Sequence, residues 1–197
     1  MDEAWRRIEE NGGAGLPHRN HDPILRLVAH YFEPADYMLE QFMKLDRKAG
    51  TSSGLSHDKV IERRYFLMVW LSSLYVVMEG VEALPLEKEL RARPLDIPDI
   101  ALRIPPLMEE FGEHRDALRL LRNAQSHFQE TAQKHVQFVA QRSRIDWALG
   151  IHGKLDRLFR EYRIQSSAIY AMAGRKDELQ LTRRKPPPSG RMRLAPD

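Results

Sequence analysis

An all-α, up-and-down bundle of about five main helices, followed by a disordered basic tail, is the fold this sequence predicts on three observations. Apolar residues recur at i, i+3, i+4 and i+7 through several long stretches. No segment alternates apolar and polar residues with the β-branched enrichment of a strand. The breaks between periodic stretches coincide with glycine, serine or proline clusters. A chain of 197 residues suits one well-buried core better than two.

Residues 1–21 have weak periodicity and contain Gly12-Gly13-Ala14-Gly15, which predicts a loose N-terminal arm. Asp22-Pro23 reads as a helix start: the carboxylate caps the first N–H groups, and the proline sits where a missing N–H costs nothing. Behind it Ile24, Leu27, Val28, Tyr31, Ala35, Met38, Leu39, Phe42 and Leu45 form an amphipathic stripe, which Pro34 should kink or divide. After the loop residues 50–54, a second helix is expected over 58–84. Its middle, residues 65–78, is apolar on nearly every face, as in the central helix of a bundle. That run of about fourteen residues is shorter than the ~20 of a membrane-spanning helix, and no membrane partner is expected.

Pro85, Pro94, Pro98, Pro105 and Pro106 then limit the chain to brief helices near 86–91 and 97–103. The helical pattern returns at Leu107 and continues through Phe111, Leu118, Leu121 and Phe128. A last long helix is expected over about 131–173, with Ala148, Ile151, Leu155, Leu158, Phe159 and Tyr162 on its apolar stripe. Residues 22–173 are thus read as the bundle and 174–197 as the tail, which is polar, basic and carries Pro186-Pro187-Pro188.

The formal charge of +3 sits mainly in that tail, where Arg175, Lys176, Arg183, Arg184, Lys185, Arg191 and Arg193 face only Asp177, Glu178 and Asp197. Bulk charge therefore says little about the body. The chain has no cysteine. That excludes a disulfide scaffold, a thiolate metal site and a cysteine nucleophile, and fits a reducing compartment, with the cytoplasm the expected location.

The helix around residues 107–128 carries the most chemistry. With Leu121 at zero on a helical wheel, Leu107, Phe111, Leu118, Gln125 and Phe128 fall within about −20° to +80°, the expected buried side. Arg115, Arg119, Arg122 and Ser126 lie at about 100° to 160°, and Asn123 and His127 near 200° and 240°. A polar face of this kind suits phosphodiester cleavage. A histidine near neutral pKa takes a proton from a ribose 2′-hydroxyl or gives one to the leaving 5′-oxygen, and an arginine binds the phosphate bidentately. No metal or other cofactor is needed. The alternative reading of the same residues is structural: arginine and asparagine making interface hydrogen bonds, and His127 capping a helix end. Single histidines elsewhere (His30, His114, His135) read as structural, Trp70 and Trp147 as core aromatics. Glu110 and His114 lie one turn apart but lack the companion ligands of a di-iron bundle.

Arg122-Asn123-Ala124-Gln125-Ser126-His127 resembles the Arg-x4–6-His motif of the HEPN superfamily, including the polar residue directly after the arginine. The superfamily consists of helical bundles, many of them metal-independent endoribonucleases whose dimers bring two motifs into one site. The resemblance implies Arg122 and His127 as catalytic, Asn123 as their orienting partner, and a homodimer acting on RNA in a toxin or defence setting, with an antitoxin-like partner. Arg115, Arg119 and Ser126, on the same face, are the expected RNA-binding residues. Two functions from different classes therefore stand side by side: a HEPN-like endoribonuclease, and a non-catalytic helical module using this face for interaction or dimerisation.

Overall fold

A computed structural model describes residues 16–51, 54–91, 93, 98–126, 137–176 and 178, and the described part is helical throughout, with no strand. A 3-10 turn at Arg19–His21 leads into α1, Pro23–Leu27. The Asp22 Oδ1 accepts from the N–H groups of Ile24 at 2.9 Å and Leu25 at 3.2 Å, and proline occupies the first turn, so the start follows from sequence.

Pro34 does not end the helix. A π-turn, Val28–Phe32, precedes it, with the Glu33 N–H bonded to the Val28 carbonyl, and the helix continues as α2, Glu33–Ala49. The wider turn absorbs the hydrogen bond that a proline cannot donate. It also adds a residue to the turn and shifts the phase of the stripe. Phe32 is buried, whereas Tyr31, placed on the apolar stripe by regular helical spacing, is half exposed.

The central helix, α3, covers His57–Ala83. Its buried residues run from Met68 to Val81 and include Trp70, Leu71, Leu74, Val77 and Met78. Tyr65, expected at the start of that core stretch, is exposed. By length and composition alone α3 is long and apolar enough to cross a membrane; in the fold its surroundings are the other helices, with α2 along one side.

The proline-rich stretch yields α4 (Leu86–Arg91), α5 (Pro98–Ala101) and α6 (Ile104–Gly112), the last with prolines in its first turn. Next comes α7, Arg115–Ser126, packed against α3. The expected helix over 131–173 is shorter. Residues 137–139 are helical, Ala140 and Gln141 break the helix with Gln141 extended at φ −95°, ψ 100°, and α8 begins at Arg142 and ends at Met172. The break lets Phe138 enter the core while the Arg144 guanidinium lies 5.7 Å over its ring.

Two buried polar connections set the register of these helices. Tyr162 on α8 donates to the Asp22 carboxylate at 2.5 Å, joining α8 to the start of α1; burial first, then the Asp22 charge, pushes that hydroxyl far up in pKa. The buried His152 accepts from the Trp70 indole N–H through Nδ1 at 3.3 Å, and its Nε2 lies 3.0 Å from the Asp36 carboxylate. With Nδ1 acting as acceptor, Nε2 carries the proton and donates it to Asp36. One imidazole thereby ties α8 to both α3 and α2.

The body also extends past residue 174. Arg175 donates to the carbonyls of Leu16 at 3.1 Å and Pro17 at 3.0 Å and to Glu178, while Glu178 accepts the Arg19 N–H at 2.8 Å. Leu16 through Arg19 and Arg175 through Glu178 thus clasp each other. The rest of the sequence-defined arm and tail, 1–15, 177 and 179–197, lies outside the described residues.

Four outcomes are expected. Leu71→Ala or Leu74→Ala should cost roughly 2–5 kcal/mol in chemical denaturation, since both side chains are fully buried. A Cβ on Gly80 would collide with the buried Leu27 Cδ1, where α1 crosses α3. Gly80→Ala should therefore lose more through overpacking, about 1–3 kcal/mol, than the ~1 kcal/mol it gains in helix propensity. Gly153→Ala in α8, whose Cβ would meet nothing within 4 Å, should only gain. Finally, the Arg175 guanidinium holds the Glu178 carboxyl below its ordinary range. A lowered folded-state pKa contributes stability that is present above the unfolded carboxylate value and lost as pH falls through the folded one. Glu178→Gln should flatten the acid-side fall of the unfolding midpoint; an unchanged profile would mean the clasp adds nothing.

Candidate functional site

The site predicted from sequence lies on α7. Asp116 stands in the first turn, where a negative charge complements the helix dipole. Leu118, Leu121 and Ala124 are buried. Gln125, assigned by its wheel angle to the buried side, is instead exposed at the rim and accepts a hydrogen bond from the Ser72 hydroxyl of α3. The buried arc is therefore centred nearer Leu121 and Ala124 than the wheel suggested, because α3 lies on that side.

The arginine row projects beside this arc. Arg115 pairs with Glu82 of α3, and Arg119 Nε donates to Asp116 at 3.3 Å. Arg122 is half buried, and its Nη1 donates to the side-chain oxygen of the neighbouring Asn123 at 3.1 Å. Asn123 thus holds the guanidinium rather than only waiting for an imidazole. The helix ends at Ser126; that residue's side chain and all of His127 lie outside the described residues.

Facing the arginines, α3 presents a polar stripe that sequence reading passed over. Tyr75, Glu79 and Glu82 are spaced i, i+4 and i+7, one face of an otherwise apolar helix, and that spacing was the available signal. Tyr75 hydrogen-bonds Glu79; burial first, then the Glu79 charge and this bond, raise its pKa, while Arg115 and Arg119 act in the opposite direction. The ion pairs here are partly exposed, and such pairs are worth about 0–1 kcal/mol each. A phosphate can replace a carboxylate partner at small cost.

Glu79 also lines a groove of about 450 Å³ on the other side of this stripe. Its far wall is α1 and the π-turn, with Arg26, Leu27, His30 and Tyr31. His30, expected to be structural, stands exposed there. His114 packs edge-on against Trp147 at 5.5 Å, and Glu110 is bonded by Lys154, so neither is arranged as a ligand pair. Among the described residues no group of three or more His, Asp or Glu side chains is placed to hold a metal. Trp70 is fully buried and Trp147 half buried, with its indole N–H on the Glu110 carbonyl at 2.9 Å. His135 lies outside the described residues.

Comparison with family models, with curated proteins and with solved structures finds no match to this chain. The functional reading therefore rests on the residues themselves.

Proposed function

We propose that this chain is a HEPN-like, metal-independent endoribonuclease that works as a homodimer, with Arg122 and His127 as its reacting pair. The observation that carries the reading is the held guanidinium: Arg122 is half buried at the end of α7, bonded to Asn123, five residues before His127. An arginine fixed by its neighbour loses less freedom on meeting a phosphate, and preorganised charge is what phosphoryl transfer requires. The His127 imidazole would take the proton of a ribose 2′-hydroxyl. The alkoxide attacks the adjacent phosphorus, the P–O5′ bond breaks, and the leaving oxygen takes up a proton, giving a 2′,3′-cyclic phosphate and a 5′-hydroxyl. Arg115 and Arg119, whose ion pairs are exchangeable, would hold flanking phosphates, with Ser126 beside them. A cytoplasmic setting of toxin or defence type, with an antitoxin-like partner, belongs to the same proposal.

The pairing of Arg115 with Glu82 and of Arg119 with Asp116 favours a second reading, in which the same face is a non-catalytic dimer or partner interface. Leu120, exposed on the same helix, would lie in such an interface.

Purified protein with chelator present should cleave single-stranded RNA and leave 2′,3′-cyclic ends. His127→Ala and Arg122→Ala should each lower the rate by about 10²-fold or more, with the unfolding midpoint little changed. Asn123→Ala should act more mildly, through loss of the 3.1 Å bond that steadies Arg122. In a composite site, mixing the Arg122 and His127 variants should restore part of the activity. Intact RNA, with either variant breaking a dimer, would establish the interface reading instead.

A further inference from the structure

The groove between the π-turn and α3 has features that the α7 motif leaves unused. Its floor and wall are largely apolar, formed by Leu27, Val76, Ala83 and Leu84. Its volume of about 450 Å³ falls within the range of small-ligand clefts, about 300–1,000 Å³. Tyr31 stands half exposed along it because the π-turn rotates that ring out of the core. Arg26 and His30 rise from the same wall, both exposed, and among the described residues neither side chain is joined to another by a hydrogen bond or ion pair. Opposite them Glu79 supplies an acceptor.

These groups are complementary to the three parts of one nucleotide. An aromatic face and an apolar floor accept a base, a carboxylate accepts from exocyclic or ring N–H donors on the base edge, and a cation at the rim meets the phosphate. α3 lies between the groove and the α7 face and contributes residues to both. Glu79 in the groove bonds Tyr75, which lies within the field of Arg115 and Arg119. Ser72, one turn before Val76 of the floor, bonds Gln125 near the end of α7. The polar side of α3 is thus flanked by Arg26 and His30 on one bank and by the α7 arginines on the other.

We infer that this groove is a nucleotide-binding subsite for single-stranded RNA, seating a base against Tyr31 and Glu79 and its phosphate on Arg26 with His30, beside the cleavage motif. The choice of RNA over a free nucleotide rests on the ribonuclease reading of α7. The groove's own chemistry calls only for a base with a phosphate attached.

The test separates the two. Fluorescence anisotropy with a labelled 2′-O-methyl oligonucleotide of mixed sequence, which lacks the attacking hydroxyl, measures binding without cleavage. Arg26→Ala should weaken binding about fivefold or more and reduce the slope of log affinity on log salt by about 0.7, one single-strand phosphate contact. Tyr31→Ala should weaken it about fivefold or more through lost stacking. Lys44→Ala, on the exposed face of α2 and outside the groove, should leave it unchanged. Both groove residues are exposed, so unfolding midpoints should not move. Binding lost in the groove variants while the wild type cleaves no RNA would uphold the subsite and refute the nuclease. Cleavage by the wild type with KM and salt slope unchanged in both groove variants would overturn the subsite and leave the nuclease standing. Competition of the oligonucleotide by millimolar mononucleotide, with equal affinity for the two, would assign the groove to a free nucleotide and overturn the RNA inference. A wild type that binds neither probe overturns it as well.

Discussion

Removing the side chains of α3 from water is a large favourable contribution to this fold, and the placement of the helices packed on it answers to it. Eight of its residues are buried, and burying a large apolar side chain is worth roughly 1.5–3 kcal/mol. The ion pairs that decorate the surface contribute at most about 1 kcal/mol each. A helix that is apolar nearly all round has to be enclosed, and α1, α2, α7 and α8 all pack against it. At position 80, where α1 comes close, a Cβ would meet the Leu27 side chain. Enclosure also gives the π-turn a role: by shifting the phase of the first helix, it brings Phe32 into the core to stack on His152 and meet Phe159 edge-on.

Apolar packing of this kind specifies density better than it specifies register, since one leucine serves nearly as well as its neighbour. The buried polar groups supply the missing selectivity. An unbonded Trp70 N–H or Tyr162 hydroxyl in this core would cost on the order of 1–3 kcal/mol, so α8 has one sliding position in which both are satisfied. His152 acts as the joint, accepting from α3 and donating to α2. Tyr170, two turns further along α8 than Tyr162, donates to the Pro17 carbonyl at 2.9 Å, and burial with the Asp22 charge pushes its pKa up to about 12. The N-terminal segment is therefore held by α8 over two turns before the Arg175 and Glu178 clasp begins.

Much of this was legible beforehand where periodicity and local chemistry agreed. The Asp22 cap, the α3 core from Met68 to Met78, the proline-broken middle and the stripe of α8 from Ala148 to Tyr162 all lie where residue spacing puts them. What escaped reading depends on long-range pairing. Nothing local distinguishes His152 from His30, yet one is buried between Trp70 and Asp36 and the other lines an open groove. The π-turn was invisible because proline announces a disturbance without saying whether the helix will kink, stop or widen. Gly174 reads as a helix end, and α8 does stop just before it, at Met172. The carboxylate four residues later docks only because Arg19 and Arg175 converge there from opposite ends of the chain. At the candidate site the α7 arginines were plain in sequence, whereas the carboxylates of α3 that face them were hidden inside an apolar run.

Those carboxylates change how the α7 face has to work. A row of bare arginines would draw any polyanion with equal strength, and the affinity would be set by salt alone. Here Glu82 and Asp116 already occupy two of the guanidiniums, so an incoming phosphate must displace a carboxylate, and the net gain at each position is small. Arg122 also bonds the neutral Asn123 amide, which orients the guanidinium. Under the proposed function, selection among ligands comes from contacts beyond the arginine row, and the base-sized groove beside α3, with Tyr31 and Glu79 on its walls, is where the fold offers them.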